Sequence, residues 1–75
     1  MTLLDSPADL GAAIRARRRE LKLSQDDLAL AIGANRKVVG QLERGKETVQ
    51  VDIAFQAARA VGLDIGVQAR GETGA

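Results

Sequence analysis

A mostly α-helical fold, a compact domain of four short helices, is what three features of this 75-residue sequence predict. Cap and stop signals recur: Ser6-Pro7, Ser24, Asn35 and Thr48 precede apolar-periodic stretches, and Gly33, Gly45 and Gly62 close them. Between those signals the apolar residues return at helical spacing, as Leu28 with Ile32 and Val51 with Ala54, Phe55 and Ala58. Only Leu63 to Arg70 alternates apolar with polar residues, the period of a strand. The expected organisation is a helical domain over residues 1–62, a short C-terminal β-strand over 63–70 that pairs across a dimer, and a flexible end at 71–75.

In chain order, residues 1–5 are a short leader. Ser6 caps the first helix, with Pro7 at its first position and Asp9 three residues after the cap. That helix is expected to run to about Lys22, with Leu10, Ala13, Ile14 and Leu21 facing the core and Leu23 plugging the junction before Ser24. Ser24 caps a second helix, where Asp26 and Asp27 place negative charge in a first turn that favours it. Leu28 and Ile32 share its buried face, and small Ala29 suits a close helix crossing. Gly33 ends it where a left-handed residue is needed.

Asn35 caps a third helix, Arg36 to Arg44. Its Val39 and Leu42 point inward, while Arg36, Lys37 and Gln41 point outward. Gly45 stops it. After the polar linker Lys46-Glu47-Thr48, Thr48 caps a helix of about Val49 to Val61. Val51, Ala54, Phe55, Ala58 and Val61 make its core face, with Phe55 at the centre of the core. Ile53, Ala57 and Ala60 form a second apolar stripe, which four helices in so short a chain leave uncovered; it is assigned to a subunit contact.

A lone strand has no pairing partner in a helical chain. The same strand of a second copy, antiparallel about a two-fold axis, would satisfy its backbone groups. Leu63, Ile65 and Val67 therefore join Ile53 and Ala57 as the expected dimer interface. The alternative is an extended tail packed on the helices.

Composition narrows the function. There is no cysteine and no histidine, which removes disulfides, most metal sites and most acid–base catalysis near neutral pH. Neither a phosphate-cradling glycine loop nor a carboxylate pair in a cleft stands out, so no enzyme, no metal and no cofactor is expected. A net charge of +1 does not by itself imply nucleic acid, but its distribution is uneven. Arg15, Arg17, Arg18, Arg19 and Lys22 cluster, and Arg36, Lys37, Arg44 and Lys46 form a second group. With one aromatic residue a monomer this small would be marginal, which favours an oligomer. No apolar run reaches membrane-span length and the start lacks a signal pattern, so a soluble, cytoplasmic protein without a membrane partner is expected.

The stretch SQDDLALAIGANRKVVGQLERGK resembles the helix-turn-helix of the phage-repressor group (Cro/cI, also called XRE). The resemblance is carried by Gln25 after the cap, Ala29, Gly33, Val39 and the ending Leu42-Glu43-Arg44-Gly45-Lys46. It extends from about Ser6 to Val61 and implies a lambda-repressor-like fold. More narrowly, the Ser-Pro helix start, the spacing of Val51, Phe55 and Val61, and the Gly-Leu-Asp-Ile-Gly-Val segment resemble HipB-type antitoxins, including the Y4mF-like subgroup. Those are DNA-binding partners of HipA-type kinase toxins that dimerise partly through a C-terminal strand. Some carry a longer tail after the strand, whereas little follows Arg70 here.

The resemblance implies that Asn35, Arg36, Lys37 and Gln41 face the major groove. Their chemistry agrees, since arginine and lysine suit guanine acceptors while asparagine and glutamine suit adenine. Phosphate binding is the alternative for Arg36 and Lys37, and a solvated side chain for Gln41. Val38 is a thymine-methyl contact or a scaffold position. Gln25 is implied as a phosphate donor at a helix start, and Arg18 as a bridge between a phosphate and Glu43. Arg44 and Lys46 follow the DNA backbone, with Arg17 and Arg19 as further candidates; the arginine run is otherwise a solvated face. Gly40 permits close approach to DNA or to a neighbouring helix, and Leu30 and Ala31 extend the core or mark a partner surface.

The expected function is a dimeric repressor of a palindromic operator in its own promoter. In the narrower form it is the antitoxin of a type II toxin–antitoxin operon, nucleoid-associated and bound to a HipA-like kinase. The alternatives are a stand-alone XRE-type regulator and a protein-interaction module of the same fold that does not read DNA.

Overall fold

Local capping chemistry sets the first three helix starts. The structure, a computed structural model, describes residues 3–71. Ser6 Oγ accepts from the Asp9 N–H at 3.1 Å and opens α1 (Pro7–Glu20). Ser24 Oγ accepts from the Asp27 N–H at 2.9 Å, and the Asp27 carboxylate accepts from the Ser24 N–H at 2.8 Å. That reciprocal box opens α2 (Gln25–Ile32), and Gly33 closes it at φ 67°. Asn35 Oδ1 accepts from the Val38 N–H at 2.9 Å and opens α3 (Arg36–Glu43).

The fourth helix starts later than its sequence signal. Thr48 does not cap it; the Val49 N–H donates to the Lys46 carbonyl at 3.4 Å, closing a turn, and Val49 packs against the core. The helix α4 (Val51–Ala60) then begins after Gln50 without a side-chain cap. The end of α1 also moves, to Glu20 rather than Lys22, while α3 and α4 each end one residue earlier than expected, at Glu43 and Ala60. Lys22 turns left-handed at φ 58°, which leaves Leu21 43% exposed instead of in the core.

The four largest fully buried side chains are Ile14, Leu28, Val39 and Val61, and each contributes on the order of 1.5–3 kcal/mol by leaving water. They come from α1, α2, α3 and the residue that ends α4, so one core ties the four helices together. Ala29, Leu42, Ala54, Ala57 and Ala58 complete it, and Leu10, Ile32, Val49 and Leu63 pack at its rim.

The face that α4 buries keeps the expected Ala54, Ala58 and Val61 but is turned toward Ala57 and away from Val51 and Phe55. Ala54, Ala57, Ala58 and Val61 point inward, whereas Val51 is 68% and Phe55 41% exposed. The buried face takes Ala54, Ala58 and Val61 from one apolar stripe and Ala57 from the other, small residues that let α4 lie against α2. Phe55 is therefore not the centre of the core, and Ala57, with no exposure, is not a subunit contact. Ile53 is half-buried and Ala60 exposed.

Two glycines let α1 approach the end of α3. A Cβ on Gly11 would overlap the Leu42 carbonyl oxygen and come within 2.8 Å of the Glu43 one. A Cβ on Gly45, already at φ 81°, would sit 2.6 Å from Ala8 Cα. The crossing is backbone against backbone.

Among the described residues there is no β-strand. Residues 63–69 lack one because a strand needs a partner, and this single chain places none beside them. Leu63 packs against the helices, while Val67 is fully exposed. From residue 72 the expected flexible end lies outside the described residues, as do the first two residues of the leader.

Candidate nucleic-acid interface

A buried ion pair fixes the third helix to the first. Arg18 on α1 reaches Glu43 at the end of α3, Nε to Oε2 at 2.6 Å and Nη2 to Oε1 at 3.0 Å. Its Nη1 donates to the Leu23 carbonyl at 2.8 Å, so the same guanidinium also ties down the α1–α2 junction. Gln25, the first residue of α2, donates from Nε2 to Glu43 Oε1 at 3.1 Å. The side chains of Arg18 and Glu43 are only 11% and 2% exposed, so bonds that would be worth little at the surface are shielded from solvent here. Burial pushes the Glu43 carboxyl up, but the bonds from Arg18 and Gln25 and the charges of Arg18 and Arg15 more than offset it and hold it below the usual range. The pairing of Arg18 with Glu43 expected from the family resemblance is present.

With its end held, α3 projects its start into solvent. Asn35, Arg36 and Lys37 are exposed, Val38 and Gln41 are half-buried, and Val39 and Leu42 are buried. Asn35 spends its side-chain oxygen on the helix cap, which leaves the amide nitrogen as its outward donor. Arg44 and Lys46 are exposed beyond the end of the helix. At the start of α2, the N–H groups of Gln25 and Asp26 have no acceptor within the helix by the geometry of a first turn. The arrangement is a fan of donors: long side chains on α3, backbone N–H groups at α2, and cations on either side.

Some expected residues sit elsewhere. Arg17 turns to the far end of the core, donating from Nε to the Val61 carbonyl at 3.1 Å and pairing through Nη1 with Glu20 at 2.8 Å. It secures the end of α4, with Nε and one Nη1 donor already committed. The Gln25 amide nitrogen gives one of its two N–H groups to Glu43, which leaves the second and the backbone N–H for an anion. Arg15, given no role from the sequence beyond membership of the basic cluster, places its charge within reach of Glu43. Its position three residues before Arg18, on the same helix face, was the available signal. Leu30 is 84% exposed and Ala31 is exposed, so neither extends the core.

Apolar surface gathers where the leader, α1, α4 and the C-terminal segment meet. Leu4, Leu10, Val51 and Phe55 border a groove of about 290 Å³. A second groove, about 680 Å³, lies between Leu3, Leu4, Leu10 and Ala13 on one side and Leu63 and Ile65 on the other.

A helix held by a buried pair so that its polar start faces outward, preceded across a tight turn by a supporting helix of the same length, defines a helix-turn-helix domain. The comparisons agree: the helix-turn-helix family model matches residues 14–68, and the chain belongs to the XRE-type helix-turn-helix family of transcriptional regulators. It is 38% identical over 69 residues to the HTH-type transcriptional regulator y4mF of Sinorhizobium fredii (strain NBRC 101917 / NGR234), covering 92% of this chain and 91% of that one. An HTH-type transcriptional regulator of Methanothermobacter thermautotrophicus is 39% identical over 51 residues, 68% of this chain and 74% of the relative. Among solved structures, HipB in a complex with an O4 20mer superposes with a TM-score of 0.83 at 18% identity, covering 93% of this chain and 99% of that one. HipB in a HipA–HipB–O2–O3 complex gives 0.84 at the same identity and coverage. The fold is HipB-like. Among the described residues no group of acidic side chains is placed to hold a metal ion, and no helix is long and apolar enough to cross a membrane.

Proposed function

We propose that this regulator works as a homodimeric repressor that reads a palindromic operator through the outward face of α3. The observation that carries the reading is the buried Arg18–Glu43–Gln25 cluster, which fixes α3 while leaving Arg36, Lys37 and the Asn35 amide free at its start. Asn35, Arg36, Lys37 and Gln41 read base edges; Arg44, Lys46, the remaining Arg18 donors and the α2 backbone N–H groups hold phosphates. In a two-fold dimer the two α3 helices would lie roughly 34 Å apart, one DNA turn. Binding should fall steeply between 50 and 200 mM salt, because each neutralised phosphate contributes about −0.9 to the slope of log K against log salt. An anisotropy titration on the DNA upstream of the gene measures this, and a flat response would favour the protein-interaction module.

The dimer contact we infer is the exposed apolar surface of Leu4, Val51 and Phe55, continued by residues 63–69 pairing as strands between copies, with Ile53 at its edge. Leu63 keeps the segment on its own core, while Ile65 and Val67 are free to meet the second chain. Sedimentation should show a dimer for the full chain and mainly monomer for Phe55→Glu and for a chain ended at Gly62. A shortened chain that stays fully dimeric would remove the strand from the interface.

The narrower reading is an antitoxin of the HipB type that autorepresses its operon in the cytoplasm and binds a HipA-like kinase. The likeness to HipB in a complex that also holds HipA supports it. The relatives at 38% and 39% identity are named as regulators alone, which favours a stand-alone regulator as the second reading. Co-expression with the product of the adjacent gene separates them: a kinase of that type retained on the tagged regulator supports the antitoxin, and a neighbour that is no kinase supports the second.

A further inference from the structure

Two glycines lie inside helices, and they answer different demands. At Gly11 a side chain is forbidden by the backbone of α3. At Gly40, in the middle of α3, no backbone stands nearby, and φ is not left-handed. A glycine there weakens the helix relative to alanine, yet neither helix crossing nor conformation requires it. What a Cβ at Gly40 would meet is a single group, the guanidinium of Arg44: Nη1 at 3.1 Å, Cζ and Nη2 at 3.9 Å. Arg44 folds back over one turn of helix, and Gly40 is buried as a result. Among the described residues Arg44 has no ion-pair partner, so no carboxylate competes for the guanidinium that lies over Gly40.

We propose that Gly40 is a positioning residue, a seat that lays the Arg44 guanidinium along α3 beside Lys37 and Gln41 so that its planar fork meets a DNA phosphate in a set orientation. The proposal rests on the DNA-reading function above and adds to it a residue that touches no DNA itself. A fork already confined to one orientation gives up less freedom on binding than one swinging free. Alanine at position 40 would push Nη1 away without crowding any backbone, so folding should not suffer.

The test is a double-mutant cycle of Gly40→Ala, Arg44→Ala and the pair, read by duplex affinity, melting temperature and NMR of the free protein. Gly40→Ala should melt no lower than wild type, weaken DNA binding about threefold to tenfold, and weaken the Arg44→Ala protein no further. A nuclear Overhauser contact between the Gly40 α-protons and the Arg44 side chain should be present in wild type and lost in Gly40→Ala. Equal losses of affinity in both backgrounds would mean that DNA approaches the bare helix, and would overturn the proposal. An unchanged affinity, a lowered melting temperature, or the absence of the wild-type NMR contact would overturn it as well. Wild-type protein that binds no duplex overturns the DNA-reading function itself, an outcome seen in the first arm of the same titration and independent of the NMR contact.

Discussion

Gly11→Ala should lower the melting temperature by at least about 12 °C, although alanine is the better helix former. The added methyl would overlap the Leu42 carbonyl oxygen and press on the Glu43 one, and neither can move without shifting the end of α3. Overpacking against side chains typically costs about 1–3 kcal/mol, and here the obstacle is main chain, so a loss of at least about 3 kcal/mol is expected. A domain of this length holds roughly 4–11 kcal/mol in total. Ala16→Gly, at an exposed position on the same helix, is the control and should cost only about 1 kcal/mol. Thermal unfolding followed by circular dichroism measures both. Gly11→Ala melting at or above wild type would show that α1 and α3 do not cross so closely.

Glu43→Ala should be nearly as damaging, by about 3–5 kcal/mol, because it leaves the Arg18 guanidinium shielded and without its counter-charge. It should also free the end of α3 and abolish selective DNA binding even where folded protein remains. Replacing both partners, with Arg18→Met and Glu43→Leu, should recover much of the stability while leaving DNA affinity low. That separation distinguishes the pair's role in orientation from its role in folding. The pair also sets a pH dependence. Glu43 titrates below its ordinary value of 4.5 in the folded chain, so its contribution is fully present above that value and is lost as pH falls through the lower folded one. Asp27, lowered by bonds to the Ser24 backbone and hydroxyl, acts in the same direction. Melting temperatures between pH 7 and 3 should drop below about pH 4.5 in wild type and drop less in Glu43→Gln. Parallel curves would remove Glu43 as the cause.

Helix starts at Ser6, Ser24 and Asn35 were legible in the sequence because a cap and the N–H it accepts from lie within three residues of each other. The outward set on α3 was legible for the same reason, since helical spacing alone separates Val39 and Leu42 from Arg36, Lys37 and Gln41. The face of α4 was legible only in part. Ala54, Ala58 and Val61 go inward as their spacing predicts, and only the approach of α2 decides that Ala57 joins them rather than Phe55. Gly11 carries no local signal at all: in sequence it is merely a weak helix former, and its reason is the backbone of a helix thirty residues away. Arg17 likewise looked like its neighbours in the basic run until the Val61 carbonyl gave it a partner. The segment 63–69 alternates as a strand does, but the pairing proposed for it would be a property of two chains, and one chain alone forms no strand there.

The central claim, that the exposed start of α3 reads bases, is tested most directly by selection from a random duplex library. Wild type, Lys37→Ala and Gln41→Ala would be run side by side. Wild type should enrich a two-fold symmetric site with half-site centres about one turn apart. Each variant should lose preference at one or two symmetric positions while keeping the remainder. An identical enriched sequence for all three proteins, or no enrichment by wild type, would contradict the account.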